Sequence, residues 1–416
     1  MKCCFDTSKQ NKFDTITQIL RPFIYFTTMQ LLTKTKLLFF LFGFNTVVLW
    51  AQSAVFTSGS DNYASFRIPA IIKAPNGDLL AFCEGRVNNS GDFGNIDIVM
   101  KRSVDGGNSW SAIQVVVDAD SLQAGNPAPV VDLLDPEYPA GRIFLFYNTG
   151  NNHEAEVRKG KGERKVVFVT STDNGKTWGA SVDISEETHR HGKAEDWRSY
   201  ANTPGHALQL ERGKYKGRIY VAANHSEGAP KSRFEDYRAH GFYSDDHGKT
   251  FSLSESVDFP GGNESTAAEL SDSRLMLNSR NQRGDKKMRI VSVSEDGGNR
   301  WVASFFDSTL IDPVCQGSIL NIGWKDNRAV LAFSNAATPN RRDSLVVRIS
   351  LDEGVTWKHS LLVDHDPEKK KKDYSAYSDL VLVNKKTLGV LYERNGYKEI
   401  LFQTIQLKKD FQPWKK

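Results

Sequence analysis

One short pattern, S-x-D-x-G-x-x-aromatic, occurs five times in the chain: SVDGGNSW from Ser103, STDNGKTW from Ser171, SDDHGKTF from Ser244, SEDGGNRW from Ser294 and SLDEGVTW from Ser350. Successive copies start 68, 73, 50 and 56 residues apart. Repetition at this interval constrains the fold more than any single motif, because one supersecondary unit must then stack on copies of itself. Each copy reads as a hairpin turn: Asp105, Asp173, Asp246, Asp296 and Asp352 can accept turn N–H groups, the glycine can take positive φ, and the terminal Trp or Phe can pack as an apolar anchor. A calcium loop needs several oxygen ligands in succession and a closing Glu, which no copy supplies, so the reading is structural and no metal is expected.

The segments around the copies are β-branched and strand-like, as in KVVFVTS and SLVVRIS, and further strand patterns start at Arg142, Arg218, Ala329 and Leu388. No stretch after residue 52 sustains an amphipathic helix. Four-stranded antiparallel units of this spacing, repeated over residues 53–416, predict an all-β, six-bladed β-propeller, since radial repetition leaves no long free sheet edge. Five copies for six units imply that one unit has a degenerate turn.

Residues 1–52 are set apart from this body. Leu37–Trp50 is almost continuously apolar, follows Lys34 and Lys36 and ends at the small Ala51. That order is the pattern of a secretory signal, and the apolar core is shorter than the ~20 residues of a membrane span. The expectation is a cleaved leader, with Met29 a second candidate start, and an exported mature protein that is periplasmic, secreted or at the cell surface, is not inserted in a membrane and is monomeric. Removing the leader leaves Lys+Arg and Asp+Glu in balance at 48 each, and a body without net positive charge argues against nucleic acid as a partner. Cys83 and Cys315, the body's two cysteines, sit in no metal or redox spacing and read as buried free thiols, with one disulfide as the alternative.

With Phe66-Arg67-Ile68-Pro69 placed upstream of the first copy, the chain resembles the sialidase (neuraminidase) superfamily, whose Asp-box repeats the five turns match. The resemblance spans essentially residues 53–416 and implies a site residue by residue. Arg67, Arg280 (in LMLNSRNQRG) and Arg342 (in PNRRDSLVVRIS) match an arginine triad, with Arg341 the rival for the third place. Three guanidiniums suit sialic acid, whose carboxylate sits on the anomeric carbon and accepts planar, charge-assisted hydrogen bonds. Arg158, Arg164 and Arg190, outside matching motifs, read as solvated surface side chains.

The same resemblance makes Asp92, in EGRVNNSGDFGNIDIV, the acid/base catalyst, with Arg86 beside the sugar and Asp97 the rival carboxylate. Tyr377, in DYSAYSDL, matches the nucleophile and Glu264, in GGNESTAAEL, its base, with Tyr374 and Glu269 as rivals. A carboxylate nucleophile would be repelled by the carboxylate on the carbon it attacks, whereas a neutral phenol relays charge from a more distant Glu. Tyrosine nucleophiles set sialidases apart from the two-carboxylate scheme. Glu393, in GVLYERNGY, matches the residue that orients the first arginine. The stretch from Pro204 resembles one leading to a pocket strand, and Asp132 and His225 are weaker pocket candidates. The implied activity is exo-α-sialidase hydrolysis of terminal sialic acid on glycans, glycoproteins or glycolipids, with retention and without a cofactor. A trans-sialidase, an intramolecular trans-sialidase or a non-catalytic sialic-acid-binding propeller are the alternatives. The run Glu368-Lys369-Lys370-Lys371-Lys372 reads as a solvated loop near the site, with steering of anionic glycans as the alternative.

Overall fold

A computed structural model describes residues 52–409, so residues 1–51 of the leader, Met29 among them, lie outside the described residues, and Gln52 opens a strand. The described chain is a β-propeller built from antiparallel meanders, with only two four-residue α-helices, Glu154–Val157 and Ser185–Thr188. The strand patterns read from the sequence form Arg142–Gly150, Ile219–Glu227, Arg328–Ala336 and Thr387–Arg394. Three of the hydrogen-bonded sheets are Gly262–Glu269 through Ala303–Ile311, Gly317–Lys325 through His359–Asp364, and Trp197–Asn202 through Ser252–Leu253. A fourth, eight-stranded sheet consists of two antiparallel halves, Ser65–Lys73 through Gln114–Val117 and Gln123–Asp132 through Val182–Asp183. A single parallel pair, Ile96 with Gln123, joins the halves.

The fifth sheet closes the ring. Its strands Ser375–Asn384, Thr387–Arg394 and Glu399–Gln406 are consecutive, but its outer strand is Gln52–Thr57, paired antiparallel to Glu399–Gln406. This sheet has no hairpin between its third and fourth strands, because the fourth comes from the other end of the body. The lack of an S-x-D-x-G copy in this sheet thus has a topological cause and not the degenerate turn expected from sequence.

The five turns share one hydrogen-bond scheme. In the first, Ser103 Oγ donates to Asp105 Oδ1 at 2.8 Å and accepts the Gly107 N–H at 2.7 Å, while Ser109 donates from N and Oγ to the two Asp105 oxygens at 2.9 and 2.6 Å. Gly107 has φ +96°, and a Cβ there would overlap the Phe402 ring. The equivalent glycines of the later turns abut Leu80, Phe144, Tyr220 and Met276, each on the meander that precedes its own. Every turn therefore packs one meander onto the previous one, and the first does so onto the closing sheet. Trp110 meets Phe402 edge-on with centroids 5.4 Å apart, Trp178 meets Phe82 at 5.9 Å, and Phe251 meets Phe146 at 5.8 Å. The apolar core is accordingly divided into clusters between neighbouring meanders, such as Phe144, Phe146, Phe168, Phe242 and Phe251.

Around the axis the core is polar. Asp379, fully buried, accepts the Ile71 N–H at 2.8 Å, the His206 N–H at 3.0 Å and the Ser318 hydroxyl at 2.7 Å, with His206 Nδ1 at 2.7 Å. Four partners satisfy a charge that would otherwise be costly to bury, and they tie three innermost strands to the Pro204 stretch. Cys83 and Cys315 are free and buried.

Candidate active site

Five innermost strands break their ladder at the same end. Register shifts occur between Arg67 and Ala70, Gly125 and Ala128, Trp197 and Tyr200, Gly262 and Ser265, and Ser375 and Ser378. A bulge re-aims the side chains it carries. These bulges ring a cavity of about 310 Å³ and carry Arg67, Asn126, Ser199, Glu264 and Tyr377 into its wall. At the first bulge Ile68 takes φ +60°, a region that β-branched residues avoid, and its N–H is held by Glu393 Oε1 at 2.9 Å.

Glu393 is fully buried. It accepts Arg67 Nε on Oε1 at 2.6 Å, and its Oε2 accepts the backbone N–H of Tyr377 at 3.2 Å. The Arg67 guanidinium lies 3.9 Å over the Tyr397 ring. Arg280 Nη1 donates to Glu264 Oε2 at 2.7 Å and to Tyr377 Oη at 3.0 Å, and Tyr377 Oη donates a short hydrogen bond to Glu264 Oε1. Arg342 Nη1 donates to Tyr397 Oη at 3.1 Å, with the guanidinium 5.6 Å from the Tyr377 ring centre. Burial and then the Glu264 charge push the Tyr377 phenol well above its ordinary range, against the opposing pull of Arg280 and Arg342. The resting group is a neutral phenol already aligned on a carboxylate that can take its proton. Cys315, packed beside Tyr377, is pushed up to about 12 by burial and stays a thiol.

Across the cavity, Arg86 donates from Nε and Nη2 to Glu84 Oε2 at 3.0 and 2.6 Å and from Nη1 to Asp92 Oδ1 at 2.7 Å. The Asp92 side chain is 73% exposed, on the loop after Leu79–Arg86, while that of Arg86 is 3% exposed. Partial desolvation raises the Asp92 carboxyl, but Arg86 and Arg67 together hold it below the usual carboxylate range. Arg86 is thus engaged by two carboxylates and acts on the loop through Asp92.

The rivals point elsewhere. Arg341 binds Asp343 Oδ2 and the Lys369 carbonyl, each at 2.7 Å. Tyr374 Oη accepts from Arg394 at 2.9 Å, and Asp97 Oδ2 accepts Tyr63 Oη at 2.7 Å. Glu269, whose carboxyl burial pushes up to about 7, accepts the Glu211 and Arg212 N–H groups at 2.8 Å each. It lines a larger cavity of about 750 Å³ at the other end of the innermost strands, together with His206 and Trp324. Among the described residues no tyrosine or serine lines that cavity, so a raised pKa alone does not make Glu269 a base for a nucleophile.

Four expectations need correction. Asp132 is outside the small cavity: its Oδ1 accepts the Leu134 and Asp135 N–H groups at 3.0 and 3.1 Å, and His247 Nδ1 lies 2.8 Å from Oδ2. Among the described residues, Asp132, Asp135 and His247 bring potential metal-ligating atoms within 4.8 Å, but hydrogen bonds from the backbone, Gln209 and Arg142 already engage the two carboxylates. His225 is also outside, stacked on Trp197 with centroids 3.4 Å apart. The stretch from Pro204 leads His206 to the axis and the larger cavity, not to the small one. Arg164 is buried in the cavity wall beside Gln123, and Arg158 binds the buried Asp236 at 2.8 Å, so neither is a solvated surface side chain.

Sequence reasoning missed Glu84, Asn126, Glu154 and Gln282, all in the cavity wall. Glu84 had a signal: a carboxylate inside the apolar strand LLAFCEGR, two residues before Arg86 and on the same face. Its Oε1 accepts the N–H of Asn126, itself at φ +53°.

The BNR repeat-like domain family matches residues 77–390. The chain is 33% identical over 364 residues to a sialidase of Micromonospora viridifaciens, covering 83% of this chain and 52% of that protein. It is 29% identical over 371 residues to a sialidase of Bacteroides fragilis, covering 84% of this chain and 64% of that protein. The chain therefore spans between about half and two thirds of the length of these relatives. The solved structure of Hadza microbial sialidase Hz136 is similar with a TM-score of 0.71 at 26% identity, covering 86% of this chain and 68% of that one. The intramolecular trans-sialidase of Ruminococcus gnavus shares the fold, with a TM-score of 0.69 at 16% identity over 88% of this chain and 99% of that one. With the repeat-like domain matched over most of its length, this chain belongs to the sialidase (neuraminidase) superfamily.

Proposed function

We propose that this chain is an exo-α-sialidase that hydrolyses terminal α-ketosidically linked sialic acid from glycoconjugates with retention of configuration. The observation that carries the reading is the sharing of Tyr377 Oη between Glu264 and Arg280 in a cavity that Arg67 and Arg342 also line. The three guanidiniums receive the sugar carboxylate and hold the anomeric carbon over Tyr377. Tyr377 Oη passes its proton to Glu264 and bonds to the anomeric carbon, while Asp92 gives a proton to the departing glycosidic oxygen. Asp92 then removes a proton from water, which attacks the anomeric carbon. The Tyr377 oxygen leaves and recovers its proton from Glu264, and the enzyme is restored.

Asp92 must be protonated for the first step, although the arginines hold its resting carboxyl low. A substrate carboxylate bound to Arg67 offsets one of those positive charges, so the substrate itself raises the acid's pKa. Exposure of Asp92 on a loop also allows it to close over the leaving group.

The same reading counts the two halves of the eight-stranded sheet as separate blades, giving six. Residues 1–52 direct export and residues 53–416 act, as a monomer, on sialylated glycans outside the cytoplasm. Release of methylumbelliferone from its α-sialoside by the 53–416 chain tests the activity. Strong loss in Tyr377→Phe supports the assignment. A folded parent that binds sialic acid without turnover overturns it in favour of a binding propeller.

A further inference from the structure

The lysine run is built into the wall that carries Arg342. Arg342 N donates to the Lys372 carbonyl at 2.9 Å, and the Arg342 carbonyl accepts the N–H groups of Tyr374 and Ser375 at 2.8 and 3.0 Å. Arg342 and Asp373 also form an isolated parallel bridge. The loop is organised from below by the buried Asp366, which accepts the Glu368 and Lys371 N–H groups at 3.1 and 2.7 Å. The Asp366 N–H donates to Asp343 Oδ1 at 2.9 Å, and Arg341 joins Asp343 Oδ2 to the Lys369 carbonyl. This hydrogen bonding is more than a solvated loop requires.

The result is a fixed backbone presenting four exposed lysines, Lys369 to Lys372, on successive residues. Lys370 pairs with Glu368 at 3.0 Å, while no carboxylate among the described residues stands within ion-pair reach of Lys369, Lys371 or Lys372. Nearby acids are engaged elsewhere: Asp343 by Arg341, and Asp364 by Arg394 at 2.8 Å. Holding like charges together costs self-repulsion that an approaching polyanion would offset, and such a patch raises local substrate concentration and on-rate. The body as a whole, loop included, balances at 48 Lys+Arg against 48 Asp+Glu, so this concentration of positive charge is local.

We infer that the 368–373 loop is a capture patch for polyanionic glycans, and that oligosialyl chains, with a carboxylate on every unit, are preferred over singly charged substrates. The inference rests on the sialidase reading. It acts by field and not by contact with the departing sugar, so it extends over roughly a Debye length, about 10 Å at 0.1 M salt.

The test compares kcat/KM of the 53–416 chain on an α2,8-linked sialic-acid dimer and hexamer, which share the scissile linkage and differ in charge, with the methylumbelliferyl sialoside as reference. At about 20 mM salt the hexamer should be favoured by about tenfold or more, and the preference should collapse at about 300 mM. The variant Lys369→Ser/Lys370→Ser/Lys372→Ser should lose the preference while cleaving the reference substrate within about twofold of the parent, as expected when only the field has changed. The salt series on the parent decides the matter if the variant is unstable. A ratio near one in the parent at low salt, a ratio that survives in a folded variant, or turnover of the reference with neither oligomer cleaved overturns the inference alone. Failure on all three substrates overturns the hydrolase reading and the inference with it.

Discussion

Glu393 grips Arg67 through Nε at 2.6 Å, and with its other oxygen it holds the backbone of Tyr377 at 3.2 Å. One buried carboxylate therefore sets both a proposed substrate-carboxylate ligand and the proposed nucleophile. Glu393→Gln removes the charge and turns amide N–H groups either toward the Tyr377 N–H or toward the Arg67 and Ile68 donors. It should raise KM through Arg67 and lower kcat through Tyr377, with kcat/KM down about 10²-fold for a misplacement near 1 Å. Loss of one partner of this buried pair should also cost about 3–5 kcal/mol of stability, read by urea denaturation. Unchanged kcat with only stability altered would reduce Glu393 to a structural role.

Asp92 is the one catalytic candidate that is largely exposed, and its proposed work depends on the leaving group. Asp92→Asn should lower kcat/KM on a sialyl-lactose by about 10²–10⁴-fold, the usual range for lost general-acid catalysis. An aryl sialoside, whose phenolate leaves without help, should lose far less. Equal losses on the two substrates would mean that Asp92 serves binding and not proton transfer.

Gly107 is where the first turn meets the closing sheet, at φ +96° and against Phe402. Gly107→Ala combines a left-handed backbone with overpacking and should cost about 2–4 kcal/mol. A thermal midpoint close to the parent's would contradict the view that these turns hold meander to meander.

The repeat made the architecture legible because the turn needs side chains at fixed offsets: Ser103, Asp105, Gly107 and Trp110 each have a separate physical task. Site order was legible through the resemblance, which marked Arg67, Arg280, Arg342, Glu264 and Tyr377, now seen in one cavity wall. The rest was hidden by the bulges. Where a strand alternates faces with period two, inward residues can be counted, but a register shift at Gly125 or Trp197 resets the count. Asn126 and Ser199 enter the cavity for that reason, and Asp132 and His225, plausible by residue type, do not. Ring closure by Gln52–Thr57 leaves no local signal, since pairing with Glu399–Gln406 is a property of the whole chain.

Three histidines predict how stability responds to acid. His189, His225 and His240 cluster around Trp197 and Tyr200, with His225 Nδ1 3.0 Å from His240 Nδ1. His191, Arg190, Arg238 and Glu227 flank them. Burial pushes His189 down to about 3 and the other two well below the ordinary value. Between about pH 6.5 and pH 3 the unfolded imidazoles bind protons that the folded ones do not, so stability falls as pH drops through that window and is flat above it. Each histidine contributes up to about 1.4 kcal/mol per pH unit. Urea midpoints at several pH values should show this slope, and His240→Gln should flatten it. A slope unchanged by that substitution would assign the acid response to other groups.

The central claim is that Tyr377 opens a double displacement. Proton NMR of the first sialic acid released from an α-linked substrate by the 53–416 chain tests it most directly, because two displacements retain configuration and one inverts it. The account predicts that the α-anomer appears first and then mutarotates. Initial release of the β-anomer would contradict it.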